Sequence, residues 1–213
     1  YRHWHIYPTT MPDGHAPPDQ STFPESGPME EQARFLLEYA VLAPSSHNSQ
    51  PWAFEIEENS VRVLADTARQ LDIADPGRRE LYLSVGCALE NLVIAAEHFG
   101  LNPNVEYEST EGSDSPSESG LLHVATVELY GPAVSPTAES VLFEAIPTRH
   151  TNHNPYADRP VPDSLLEWLT SEVGTETVGI EILTDSSGRE RIASLQKRAD
   201  ERLFADPSYR AEL

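Results

Sequence analysis

The apolar and polar positions of this chain alternate with two different periods. Trp52-Ala53-Phe54-Glu55-Ile56-Glu57 alternates apolar and polar, the period of a half-buried strand. Asn59-Ser60 offers a turn, and Val61-Arg62-Val63-Leu64 pairs back as a hairpin. The helical period dominates from Asp75-Pro76 to Phe99, with Gly86 inside the apolar stretch, and Gly100 closes the run. Leu81, Val85, Ala88, Leu92, Ala95 and Phe99 form one stripe, and Leu83, Cys87, Leu89, Val93 and Ile94 carry apolar surface around most of the circumference. A helix that apolar is buried on several sides and predicts the central helix of the fold. Ser84, Gly86 and Ala88 are small enough to admit another backbone, and Cys87 reads as a core residue.

The remaining pattern is less regular. Residues 1–27 are proline-rich, carry His3, His5 and His15, and show no hydrophobic period, so they read as an extended or mobile arm. His3 and His5 alone are a weak metal pair, lacking a carboxylate or cysteine partner. Pro28 to Leu42 reads as a helix, capped by Ser26 or Gly27, with Glu30 and Glu31 at its positive end and Pro44 after it. Val105–Glu108 reads as a short strand and 109–120 as a polar surface loop. Leu121–Leu129 is the strongest strand of the chain, with His123 a strand residue rather than a ligand. Helices are predicted from Ser135-Pro136 to Ile146, over Ser164–Val173 and over Ser187–Phe204, and a strand over Val178–Thr184.

Composition narrows the function classes. The 213 residues suffice for one large domain or two small ones, and the net charge is -21 from 35 acidic against 14 basic residues. Lys197 is the sole lysine among those bases. A lysine-poor acidic surface suits a halophilic protein of an acidic proteome, with an ordinary acidic cytosolic protein as the alternative. Either way the charge argues against nucleic acid and anionic membrane as partners. Cys87 is the only cysteine, so neither an internal disulfide nor a thiolate metal cluster is expected. There is no membrane-length apolar run and no signal-peptide pattern, and a cytoplasmic location is expected.

Two segments carry chemistry. Ala43-Pro44-Ser45-Ser46-His47-Asn48-Ser49-Gln50-Pro51-Trp52 gathers hydroxyls, amides, a histidine and a tryptophan between a helix and a strand. Ser45, Ser46, Asn48 and Gln50 could orient a polar heterocycle, or could simply cap their own turn. The second segment, Pro147 to Tyr156, offers Arg149, His150, Thr151, Asn152 and His153, with Arg159 beyond. A forked cation, a hydroxyl and a switchable imidazole suit a phosphate; an arginine satisfying nearby carboxylates is the plainer reading. Together they suggest one ligand with a heterocycle at one end and a phosphate at the other, such as FMN.

At these residues the chain resembles the FMN-dependent nitroreductase family, which shares a Pro-Ser-Ser-x-Asn-Ser-Gln-Pro-Trp core. Leu81–Leu101 resembles that family's central helix. The likeness is strongest to the Acg-like branch, in which two units are fused in one chain, and Ile146–Pro162 resembles the junction there. The resemblance implies an α+β nitroreductase-like fold, an antiparallel-rich sheet around a long central helix. It implies a first unit over 28–142 and a partial, degenerate second unit over 143–213. It further implies FMN, held by Ser45, Ser46, Asn48 and Gln50 of the first unit and by Arg149, Thr151 and His153 of the second. His153 stands where the ordinary pattern has a basic residue. NAD(P)H would supply electrons for a small-molecule acceptor such as a nitroaromatic or quinone, with a flavin-storage protein without turnover as the alternative. No catalytic acid or base is named, because the flavin does the chemistry. The units would form a pseudo-dimer within one chain, or a homodimer.

The chain also departs from the family. It stops at Glu212-Leu213, before a second central helix, so a fragment or a truncated relative is expected. The first unit lacks an Arg-x-Ser-x-Arg opening, which argues against a second, symmetric flavin site.

Overall fold

A computed structural model of the protein describes residues 5–7, 16–108, 119–131, 141–157, 159–173 and 178–212, with 5–7 and 172–173 described by their backbone. The chain divides into two compact units, Tyr1–Thr151 and Asn152–Leu213. The first is a mixed helix and antiparallel-sheet structure. Its strands are β1 (His5–Tyr7), β2 (Trp52–Glu57), β3 (Ser60–Asp66), β4 (Asn102–Tyr107) and β5 (Leu121–Tyr130). They form one sheet in the order β1-β2-β3-β5-β4, every pair antiparallel. β1 lies within the segment expected to be an extended arm. His3 and His15, most of the polar loop 109–120 and the start of the helix expected at Ser135-Pro136 lie outside the described residues.

Three helices belong to this unit: α1 (Met29–Ala40), α2 (Arg79–His98) and α3 (Val141–Thr148). The stripe read from the sequence is the buried face of α2. Val85, Ala88, Leu92 and Ala95 are fully buried, in one core with Trp52, Phe54 and Ile56 of β2, Val61, Val63 and Ala65 of β3, and Ala125, Val127 and Leu129 of β5. The outward face of β2 and β3 carries a Glu55–Arg62 ion pair at 2.7 Å between directly opposed residues. α1 contributes Phe35, Leu36, Tyr39 and Ala40 to the same core, and α3 contributes Phe143 and Ile146. The expectation that α2 is covered around most of its circumference needs correction. Leu83 is 61% exposed, and Cys87, Val93 and Ile94 are half-buried.

The ends of α2 are set by two different devices. The sequence places its start at Asp75-Pro76, but the helix begins at Arg79, after Arg78 in a left-handed conformation (φ 59°). Asp75 acts from outside the helix. Its buried carboxylate accepts the N–H groups of Arg79 at 2.8 Å and Leu81 at 2.9 Å, two donors that the first turn leaves without partners. At the far end Gly100 takes φ 79°, and the Leu101 N–H reaches back to the Ala96 carbonyl at 2.9 Å.

The second unit contains α4 (Asp163–Val173), α5 (Ser186–Ala205) and α6 (Pro207–Glu212). Asp185 caps α5 by accepting the Gly188 N–H at 2.7 Å, and that bond, with the Ser187 hydroxyl, holds its carboxyl below the usual range. Tyr209 is buried, edge-on to Phe204. Val178–Thr184, expected as a strand, pairs with no strand among the described residues. Its alternation suits a sheet surface, but a strand also needs an edge to bond to.

Asp75→Ala should lower the unfolding free energy of the first unit by about 1–3 kcal/mol, the cost of orphaning buried helix-end donors. A fall in the urea midpoint checks this; an unchanged midpoint would mean that packing of Leu81 alone fixes the start of α2.

Candidate functional site

The 43–52 loop runs from the end of α1 to the head of β2. Its middle, Ser46–Asn48, is a single tight turn, with the Asn48 N–H bonded to the Ser45 carbonyl at 3.0 Å and the Ser49 N–H to that of Ser46 at 3.0 Å. His47 (φ 50°), Asn48 (φ 55°) and Gln50 (φ 48°) all lie in the left-handed region. Each costs about 1 kcal/mol or more, Asn less than the others, and such outliers persist only where surroundings hold them. Here the surroundings are two neighbours of the loop. The Ser46 N–H donates to Ser84 Oγ of α2 at 3.3 Å, while the Ser84 hydroxyl donates to the Glu80 carbonyl at 2.8 Å. Arg69, paired with Asp66 at 3.3 Å, donates to the Ser49 carbonyl at 3.2 Å.

The four residues singled out in this loop have different fates. Ser45 Oγ accepts the Gln50 N–H at 2.9 Å, so this hydroxyl serves the turn, the plainer of the two sequence readings. The Gln50 and Asn48 side chains meet at 3.5 Å, the outer limit of a hydrogen bond. Ser46 is half-buried, and its hydroxyl makes no hydrogen bond among the described residues. His47 and Asn48 are exposed. Beneath the loop, Ser46, Ser49, Arg69, Asp75, Glu80 and Ser84 line a cavity of about 10 Å³, close to one water.

Arg149 follows directly on α3, its N–H bonded to the Ala145 carbonyl at 2.8 Å. It is exposed, as are His150 and Thr151. Its charge reaches Cys87 on α2. Burial pushes the Cys87 thiol above its ordinary value, Arg149 opposes that rise and Glu90 adds to it. Cys87 is half-buried and packs against the core rather than lying within it as the sequence suggests. It lines an open depression of about 560 Å³ on α2 with Arg79, Tyr82, Leu83, Gly86 and Glu90. His153 lies in the second compact unit.

Ser84, which holds the loop, and Cys87, which feels Arg149, are three residues apart on one helix. The loop is bonded to Ser84, and the charge of Arg149 is felt one turn further along the same helix at Cys87. Ser84 and Arg69 were not singled out from the sequence as holding the loop. The available signal for Ser84 was a hydroxyl on an otherwise apolar face. Among the described residues no group of three or more His, Cys, Asp or Glu could hold a metal ion, and no helix is long and apolar enough to cross a membrane.

No family model matches the chain. It is 32% identical over 178 residues to the protein named "Putative NAD(P)H nitroreductase acg" of Mycobacterium tuberculosis, covering 83% of this chain and 51% of that one. It is 31% identical over 206 residues to "Putative NAD(P)H nitroreductase Rv3131" of the same organism, covering 96% and 56%. The chain thus spans about half the length of the curated relatives it matches. A solved structure from Bacteroides thetaiotaomicron, described as a "Putative NADH dehydrogenase/NAD(P)H nitroreductase", aligns over 65% of this chain and 94% of its own at 18% identity and a TM-score of 0.41. A "Putative NADH Oxidase" from Clostridium acetobutylicum aligns over 59% and 89% at 18% identity and 0.40. The similarity in sequence runs through most of this chain.

Proposed function

We propose that the chain belongs to an FMN-binding oxidoreductase of nitroreductase type, of the fused Acg-like branch. It would pass electrons from NAD(P)H through FMN to a nitroaromatic, a quinone or a similar acceptor. The observation that carries this reading is the strained polar loop bonded to Ser84 of α2, with the Arg149 charge felt at Cys87 on the same helix.

The residues present suit FMN. The depression along Arg79–Glu90 falls within the size range of small-molecule sites, and Gly86 leaves open space where a side chain would stand. The Ser46 hydroxyl is available as a donor, and the Asn48 and Gln50 amides offer both donor and acceptor to a ring edge. Arg149 supplies a forked cation for a phosphate, with Thr151 as a neutral donor. When bound, FMN supplies the hydride chemistry; the protein binds it, orients it and shields it from water. The proposal rests on first-unit residues and needs no contribution from His153. Leu83 and the apolar surface beside it would be covered by a second nitroreductase-like unit, in the same polypeptide or in another copy.

The decisive experiment loads the protein with FMN in high salt and adds NADH or NADPH anaerobically. Bleaching of the visible band, with recovery on adding a nitroaromatic, supports turnover. A yellow protein that neither nucleotide bleaches would overturn turnover and leave flavin storage. Arg149→Ala should weaken FMN binding by about 1.5–3 kcal/mol, the scale of a charge-assisted hydrogen bond, and unchanged affinity would refute the phosphate role. His47→Gly should raise stability by about 1 kcal/mol by relieving the left-handed backbone, and should loosen FMN by freeing the loop. A variant with both quantities unchanged would mean that the strain is not held for the ligand.

A further inference from the structure

Outside the proposed site, one contact stands apart. α3 is attached to the first unit through Phe143 and Ile146, while Val141 is 84% exposed and Leu142 44% exposed. Phe143 is fully buried and lies face to face on His98, the last residue of α2, with ring centroids 3.6 Å apart and planes within 6°. Tyr39 and Phe99 close around the same ring at 4.9 and 5.6 Å. His98 Nδ1 is buried and has no hydrogen-bond partner among the described residues.

We propose that His98 is an acid-sensitive latch that holds α3 against α2 only while its imidazole is neutral. The neutral ring packs as an aromatic. A second proton makes both ring nitrogens donors, so the buried Nδ1 would carry an N–H that finds no acceptor among the described residues. Among the described residues, the charged group felt at the ring is Glu144 on α3; Glu97 is its neighbour in sequence, and Glu25 lies elsewhere in the wall of the cavity that His98 also lines. Burial lowers the His98 pKa from its ordinary 6.5, and Glu144 works against that lowering. The negative end of α2 also favours a cation. Burial outweighs Glu144, so the folded value lies below the unfolded one. The docked state binds fewer protons than the undocked one, so docking is fully stable above pH 6.5 and weakens as pH falls through the lowered folded value. Release of α3 would draw Arg149 away from Cys87, since Arg149 continues directly from that helix.

The test needs no flavin, so it stands or fails separately from the proposed function. Amide hydrogen exchange of the 141–149 segment is followed at pH 7.5 and pH 5, corrected for intrinsic exchange and referred to amides of α2. Protection of α3 should be lost in acid while α2 stays protected. His98→Phe, which keeps a ring but cannot titrate, should leave α3 protection independent of pH. Equal loss in both proteins, or no loss in the unaltered one, would overturn the proposal. If His98→Phe does not fold, an NMR titration of the His98 ring decides: a pKa below 6.5 supports the latch, and a value at or above it contradicts the latch.

Discussion

The fold depends on burying one helix. α2 packs against α1, against α3, against strands β2 to β5 and against the 45–50 loop, so the first unit has no core that α2 does not share. Its buried stripe of Leu81, Val85, Ala88, Leu92 and Ala95 alternates large with small side chains. That alternation lets the sheet approach closely on one side and α1 on another. Burying a full Leu or Val side chain contributes roughly 1.5–3 kcal/mol, so this stripe outweighs any surface ion pair in the unit. The ends are fixed by polar devices, Asp75 at one and Gly100 at the other.

The proposed chemistry uses what α2 does not bury. Leu83, Gly86 and Cys87 form its open side, and the adjacent hydroxyl of Ser84 anchors a loop that holds three left-handed non-glycine residues. A rigid helix is a good platform for a strained loop, because the anchor does not move to relieve the strain. Arg149, which follows α3, acts on the same helix through its charge at Cys87. The grip of α3 is one stacked ring and one isoleucine, so the cationic part of the proposed site is held far less firmly than the loop.

Periodicity made much of this legible. The α2 stripe, the β2–β3 hairpin and the β5 strand follow from apolar spacing, because each buries one face. The failures have local causes. Asp75-Pro76 looks like a helix start because an acidic cap followed by proline is one, yet the chain makes a further turn through left-handed Arg78 before the helix begins. Val178–Thr184 alternates like a strand, but alternation cannot supply the neighbour a strand requires. In the loop, composition could not reveal that Ser45 serves its own turn while Ser46 keeps its hydroxyl available. Nor could it reveal Ser84, whose part depends on which side of α2 meets the loop. The effect of the Arg149 charge on Cys87 joins residues far apart in sequence, and no local pattern encodes it.

The central claim is that this chain makes a flavin site on α2. The most direct measurement is a fluorescence titration of FMN with the purified protein in high salt. Saturable quenching of flavin emission is expected as the ring leaves water for the depression on α2. Flavin emission unchanged through a large excess of folded protein would contradict it.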